Sequence, residues 1–222
     1  KSSFLPFKKI TNYKKKGLQI LIIQDFPALY TSSLFSSYLH FSEHRSYIKK
    51  QKIFIRGLKK NIRKQVVVRL GSSNAPGSTN NLIHYEKNIW NLEFKKINLE
   101  TRETSIYDSV KRSYIVIITQ VSSTILLECI TSNIPFLIFA DLKKQSVNKE
   151  FKKILNYLKK NNIFFESPIK MSNFLNNNNV VNVRDWWQSK KIQKIVNILS
   201  NSLAIYENNP TEKIVKELKL RA

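Results

Sequence analysis

The chain has 222 residues, enough for one large domain or two small ones, and 42% of them are hydrophobic, so a sizeable core can form. Thirty-eight Lys and Arg against fifteen acids give a formal charge of +23, which favours anionic partners: nucleic acid, lipid head groups or phosphorylated substrates. No apolar run reaches the roughly 20 residues of a membrane span, the first residues lack the apolar centre of a signal peptide, and a single cysteine, Cys129, excludes an internal disulfide.

The charge excess is mostly lysine, spread along the chain among isoleucines and asparagines, a mixture that AT-biased coding also produces. Zinc-finger spacing, an aromatic RNP-like pattern and a helix-turn-helix are all missing, so nucleic acid is the less favoured partner. The chain begins without Met, which fits a fragment or a trimmed product. Cys129 lies among apolar residues and reads as a small buried hydrophobe in a reduced, cytoplasmic setting.

In chain order, a basic lead-in is followed by a compact apolar strand, Leu18 to Ile23, ending at Gln24 and Asp25. From Phe35 to about Lys64 apolar residues recur at helical intervals among many bases, predicting one or two amphipathic helices with a solvated basic face. His40 and His44 are four apart there, but with no third ligand at metal spacing they do not make a zinc site. Gln65 to Leu70 reads as a strand running into a loop that holds Gly71, Pro76 and Gly77. Arg69 stands at the mouth of that loop, where a guanidinium either holds a phosphate or carboxylate or is paired within the fold. His84 after it reads as a surface or packing residue. Trp90, Leu92 and Phe94 lead to Ile97 in another expected strand, and Ser105 is placed to cap a short helix.

The stretch from Ser113 to Asp141 organises the rest. Tyr114 to Thr119 is β-branched and apolar throughout, as a strand buried on both faces should be. Ser122, Ser123 and Thr124 supply side-chain oxygens at a helix start, Leu126, Leu127 and Ile130 follow at helical spacing, Asn133 can close the helix in the left-handed conformation, and Pro135 forbids its continuation. Phe136 to Ala140 is a second buried strand. This is a βαβ unit, and its helix start is either a set of N-caps or an anion site, with Glu128 one turn further in to accept from a ribose hydroxyl or a neighbouring group. Neither a glycine-rich dinucleotide fingerprint nor a P-loop is present.

After Asp141 a helix carries Phe151, Ile154, Leu155 and Leu158 on one face and closes at Asn161 and Asn162, and Ile163 to Phe165 reads as a strand. Ser172 is expected to cap a brief helix, asparagines 176 to 179 to form a flexible link, and Asp185 to cap one long helix whose buried stripe runs from Trp186 to Tyr206. The tail from Asn208 is polar and basic. The fold class is therefore α/β, a Rossmann-like parallel sheet with flanking helices, closed by a long carboxyl-terminal helix.

Three segments then suggest a family. The run T-x-x-S-S-T-I-L-L-E followed by S-N-I-P-F-L-I-F, then F-K-K-I-L-N-Y-L-K-K-N-N-I-F-F-E-S-P, then R-D-W-W-Q-S-K-K-I-Q, resembles bacterial transferases encoded with surface-carbohydrate genes, in lipopolysaccharide and O-antigen loci, which look like GT-B glycosyltransferases. The matching positions are Thr119, Ser123, Thr124, Leu127 and Glu128; Leu158, Ile163, Phe164, Ser167 and Pro168; and Trp186 and Trp187, and the resemblance covers about residues 65 to 206. The loops after Arg69 and after Phe139 depart from the family pattern, lacking its tryptophans. The resemblance implies residues 65–207 as a carboxyl-terminal, donor-binding GT-B half, residues 1–64 as a remnant or linker of a missing half, and residues 208–222 as a basic tail. It implies a nucleotide-sugar donor whose phosphate meets Ser122, Ser123 and Thr124, with Arg69 neutralising the departing nucleotide and Glu128 fixing a ribose. A glycan or lipid-linked acceptor, a cytoplasmic setting and contact with the inner face of the membrane go with it, and no cofactor or metal is expected. The alternative is a non-catalytic basic domain that binds nucleic acid or a protein partner on the same scaffold.

Overall fold

A computed structural model describes residues 10, 17–25, 41–71, 80–101, 103–121, 123–142, 148–204 and 215–216. Six strands form one sheet: β1 (Gln19–Ile23), β2 (Val66–Arg69), β3 (Asn98–Glu100), β4 (Ser113–Ile118), β5 (Phe136–Phe139) and β6 (Phe164–Phe165). Every pairing is parallel and the order is β3-β2-β1-β4-β5-β6. Parallel strands need crossovers that cover both faces, and the all-buried patterns of β2, β4 and β5 follow from that cover. The Rossmann-like α/β class read from the sequence is the class observed.

Alternate strand residues feed two cores. Ile20, Ile22, Ile115, Ile117 and Leu137 pack against helices α1 (Phe41–Gly57), α2 (Lys60–Arg63), α3 (Asn80–Asn91) and α7 (Pro168–Asn177). Leu21, Val67, Val116, Ile118 and Ile138 pack against α4 (Ile106–Lys111), α5 (Thr124–Thr131), α6 (Lys149–Lys160) and α9 (Lys190–Leu203). Helix α8 (Val180–Gln188) puts Val183 in the first core and Trp187 in the second, and Arg184 donates to the carbonyl of Gly17 just ahead of β1. The amino-terminal segment of the chain thus supplies the strand at the middle of the sheet, between β2 and β4.

Local sequence sets the helix ends. Asn148, Ser167, Asn179 and Ser189 each accept a backbone N–H in the first turn of α6, α7, α8 and α9. Asn133 (φ 50°) and Asn162 (φ 58°) take the left-handed conformation after α5 and α6.

Four sequence expectations are corrected. The strand expected across Trp90 to Ile97 is the end of α3 and its exit turn, with β3 beginning only at Asn98. Ser172 sits in the interior of α7, donating to the carbonyl of Ile169, while Ser167 makes the cap. The asparagine run is no loose link: Asn176 binds Gly57 and Lys59, Asn177 ends α7 and Asn179 caps α8. Asp185 lies inside α8, and the one long helix expected there is two, broken at Ser189, which ends α8 and caps α9. Tyr206 lies outside the described residues.

Candidate functional site

The strand order reverses between β1 and β4, so crossovers leave these two strands in opposite directions, and beyond the carboxyl ends of such a pair is where open α/β sheets form their ligand-binding crevice. A chain of hydrogen bonds clamps the two ends together. The backbone N–H of Asp25 donates to the Tyr47 hydroxyl (2.8 Å), Tyr47 pairs with Thr119, and Thr119 Oγ1 donates to the carbonyl of Ile23 (2.6 Å). Burial pushes the Tyr47 hydroxyl well above its ordinary range, so it stays a neutral donor.

Side chains from α1 and α3 extend this polar layer under the crevice. Gln24, one residue past β1, donates to Gln51 Oε1 (2.8 Å) and accepts from Trp90 Nε1 (3.3 Å). His44 and Glu86 face each other at 3.7 Å, only 1% and 2% exposed, with His44 also beside the ring of Tyr47. Lys50 pairs with Asp141 at the end of β5. His44, Tyr47 and Gln51 recur at helical spacing on the inner face of α1, a polar stripe inside an apolar one, which was the signal available in the sequence.

The residues expected from the sequence lie on the opposite face of the sheet. Ser123 is the N-cap position of α5, five residues past the end of β4, yet its side chain makes no capping bond, and Thr124 beside it is exposed. Ser122 lies outside the described residues. Glu128 is buried one turn in and accepts from the Tyr107 hydroxyl at 3.2 Å. Burial, and next the Glu128 charge, raise the Tyr107 hydroxyl above its ordinary range. Arg69, at the carboxyl end of β2, is only 6% exposed. Its guanidinium donates to Ser109 Oγ (3.3 Å) and lies 3.9 Å from Glu100, which Arg112 also engages at 2.6 Å. Arg69 is thus engaged within the fold at the carboxyl end of β2.

The structure therefore brings Ser123, Thr124 and Glu128 together on α5 and sets Arg69 two strands away. His84 is exposed on α3, and His40 lies outside the described residues. Among the described residues no group of three or more His, Cys, Asp or Glu could hold a metal ion, and no helix is long and apolar enough to cross a membrane.

A six-stranded parallel sheet in this order, with a layer of polar side chains at its switch point, defines a Rossmann-like α/β protein, a class whose ligands bind beyond the carboxyl ends of the strands. The chain belongs to the LIC12162 family of transferases, whose family model matches residues 2–218. No curated protein matches it.

Proposed function

We propose that this transferase uses a nucleotide-activated sugar, alone or as part of a longer glycosyltransferase of GT-B type, and that it acts on cytoplasmic intermediates of a bacterial surface glycan. The observation that carries this reading is the start of α5. Ser123 and Thr124 open the helix that follows β4 at the switch point, with backbone N–H groups and an uncommitted hydroxyl where a pyrophosphate would lie. Donors fixed in place before the reaction stabilise the charge that develops on the departing nucleotide without reorganising. Arg69 and Glu128, tied to Glu100 and Tyr107, contribute by fixing the walls of the crevice. The acceptor in this reading is a glycan or a lipid-linked glycan.

Ligand-observed NMR of the chain against UDP, GDP, CMP and a short single-stranded DNA, at low and near-physiological salt, tests it. The expected result is salt-tolerant binding of one nucleotide that the Ser123→Ala/Thr124→Ala variant loses. Binding of DNA alone, removed by salt, or of nothing, rejects the donor site.

A further inference from the structure

At the other end of the sheet, where the chain enters β2 and β3, an open groove of about 450 Å³ runs between α2 and the turn that follows α3. Its rim carries Lys60, Arg63 and Lys64 on one side and Lys95 and Lys96 on the other. Arg63 is held in place by donating to the carbonyls of Arg56 (2.6 Å) and Leu58 (2.9 Å). Glu93, the one acid in the lining, is already engaged by Lys52 (3.3 Å) and Arg56. The four lysines are exposed and none pairs with an acid among the described residues, whereas Lys50, Lys153 and Lys159 elsewhere do. Amid these cations Leu92 is 84% exposed, the most exposed large apolar side chain among the described residues.

We infer that this groove docks the protein on an anionic lipid bilayer, the lysines meeting head-group phosphates while Leu92 enters the boundary with the acyl chains. Charge alone would suit any polyanion, and Leu92 decides between them. A solvated aliphatic side chain gains nothing from a soluble phosphate but gains from the bilayer interface. Nucleic acid would call for an exposed ring on which bases stack, and Phe94 is half-buried with its ring 6.1 Å from that of Trp90. The inference is independent of the donor site, since the two lie at opposite ends of the sheet.

Cosedimentation with vesicles of pure phosphatidylcholine, and of phosphatidylcholine mixed with phosphatidylglycerol, tests it at near-physiological salt. Binding is expected to the mixed vesicles only. Each lysine near an anionic surface is worth about fivefold, so replacing Lys60, Lys64, Lys95 and Lys96 by Gln should weaken partitioning by roughly several hundredfold. A matched variant with Lys152, Lys170, Lys190 and Lys191 replaced by Gln loses the same charge from other exposed positions and should bind nearly as the parent does. Leu92→Asn should weaken vesicle binding severalfold and leave the weak binding of single-stranded DNA unchanged. The proposal is overturned if the matched variant loses as much as the groove variant, if Leu92→Asn has no effect on vesicles, if DNA binds the groove more tightly than vesicles do, or if mixed vesicles are not bound.

Discussion

Asn133 serves both backbone and side chain, and two substitutions separate the roles. Its φ of 50° lets the chain turn from α5 into β5, while its Oδ1 accepts from Trp187 Nε1 (2.9 Å) and from Gln193 Nε2 (3.2 Å), tying the end of α5 to α8 and α9. Asn133→Gly keeps the left-handed turn at little cost but orphans the indole N–H of a fully buried tryptophan, about 1–3 kcal/mol. Asn133→Ala adds about 1–2 kcal/mol for a Cβ in the left-handed region. Thermal midpoints should therefore fall in the order parent, glycine variant, alanine variant, and an alanine variant as stable as the glycine one would contradict the backbone part. At the crevice, Tyr47→Phe removes the hydroxyl that joins Asp25 to Thr119 and leaves buried polar groups short of a partner. A loss of about 1–3 kcal/mol in denaturant unfolding is expected.

Where helices meet, α1 comes close to α7 at Gly57. A Cβ built on Gly57 would stand 2.5 Å from Ser172 Oγ and 3.0 Å from Ser172 Cβ, so Gly57→Ala must displace the Ser172 side chain or ease the helices apart, at about 1–3 kcal/mol. Ser172→Ala in that background removes the nearer atom and should return part of the loss, a coupling that a double-mutant cycle reads directly. The same scale explains what was legible in the sequence. β1, β2, β4, β5 and the α5 turn declare themselves because strands buried on both faces are unbroken apolar runs. β3 is a half-exposed edge of three residues, Asn-Leu-Glu, with no such pattern, and Trp90 to Ile97 looked more like a strand than it did. The asparagine-rich start of α3 reads as more of the preceding loop. The break at Ser189 has neither Pro nor Gly to announce it, since one residue ends α8 and begins α9. At the site, the helix start at Ser123 was legible because it is local. The polar stripe of His44, Tyr47 and Gln51 on α1 left a signal, but its meeting with Gln24, Glu86 and Thr119 did not, because only the strand order and the packing of α1 and α3 on the sheet bring those separate segments together.

Across the whole molecule, the buried titratable groups and the net charge pull stability in different directions as pH rises. Burial lifts Tyr47, Tyr114 and Cys129 well above their ordinary values of 10.0, 10.0 and 9.0, with the positive charge of Arg184 pulling Tyr114 partly back. In the unfolded chain the thiol ionises near 9 and the phenols near 10, while the folded protein keeps all three protonated to higher pH. The unfolded state then binds fewer protons, so the stability these groups contribute is complete below about pH 9 and drains away above it, by about 1.4 kcal/mol per pH unit for each group. Against this, the charge of +23 makes the folded chain repel itself, and that repulsion eases only as lysines lose protons near pH 10.4. Salt separates the two effects because it screens exposed charges and leaves buried hydroxyls and the thiol unaffected. At neutral pH the thermal midpoint should rise as salt is added. In high salt, where the repulsion is already screened, it should stay level to about pH 9 and then fall steeply. Cys129→Ala should move the onset of that fall from near pH 9 to near pH 10, whatever it costs in packing. A midpoint that keeps rising past pH 10 in high salt would mean that these three side chains are open to water in the folded protein.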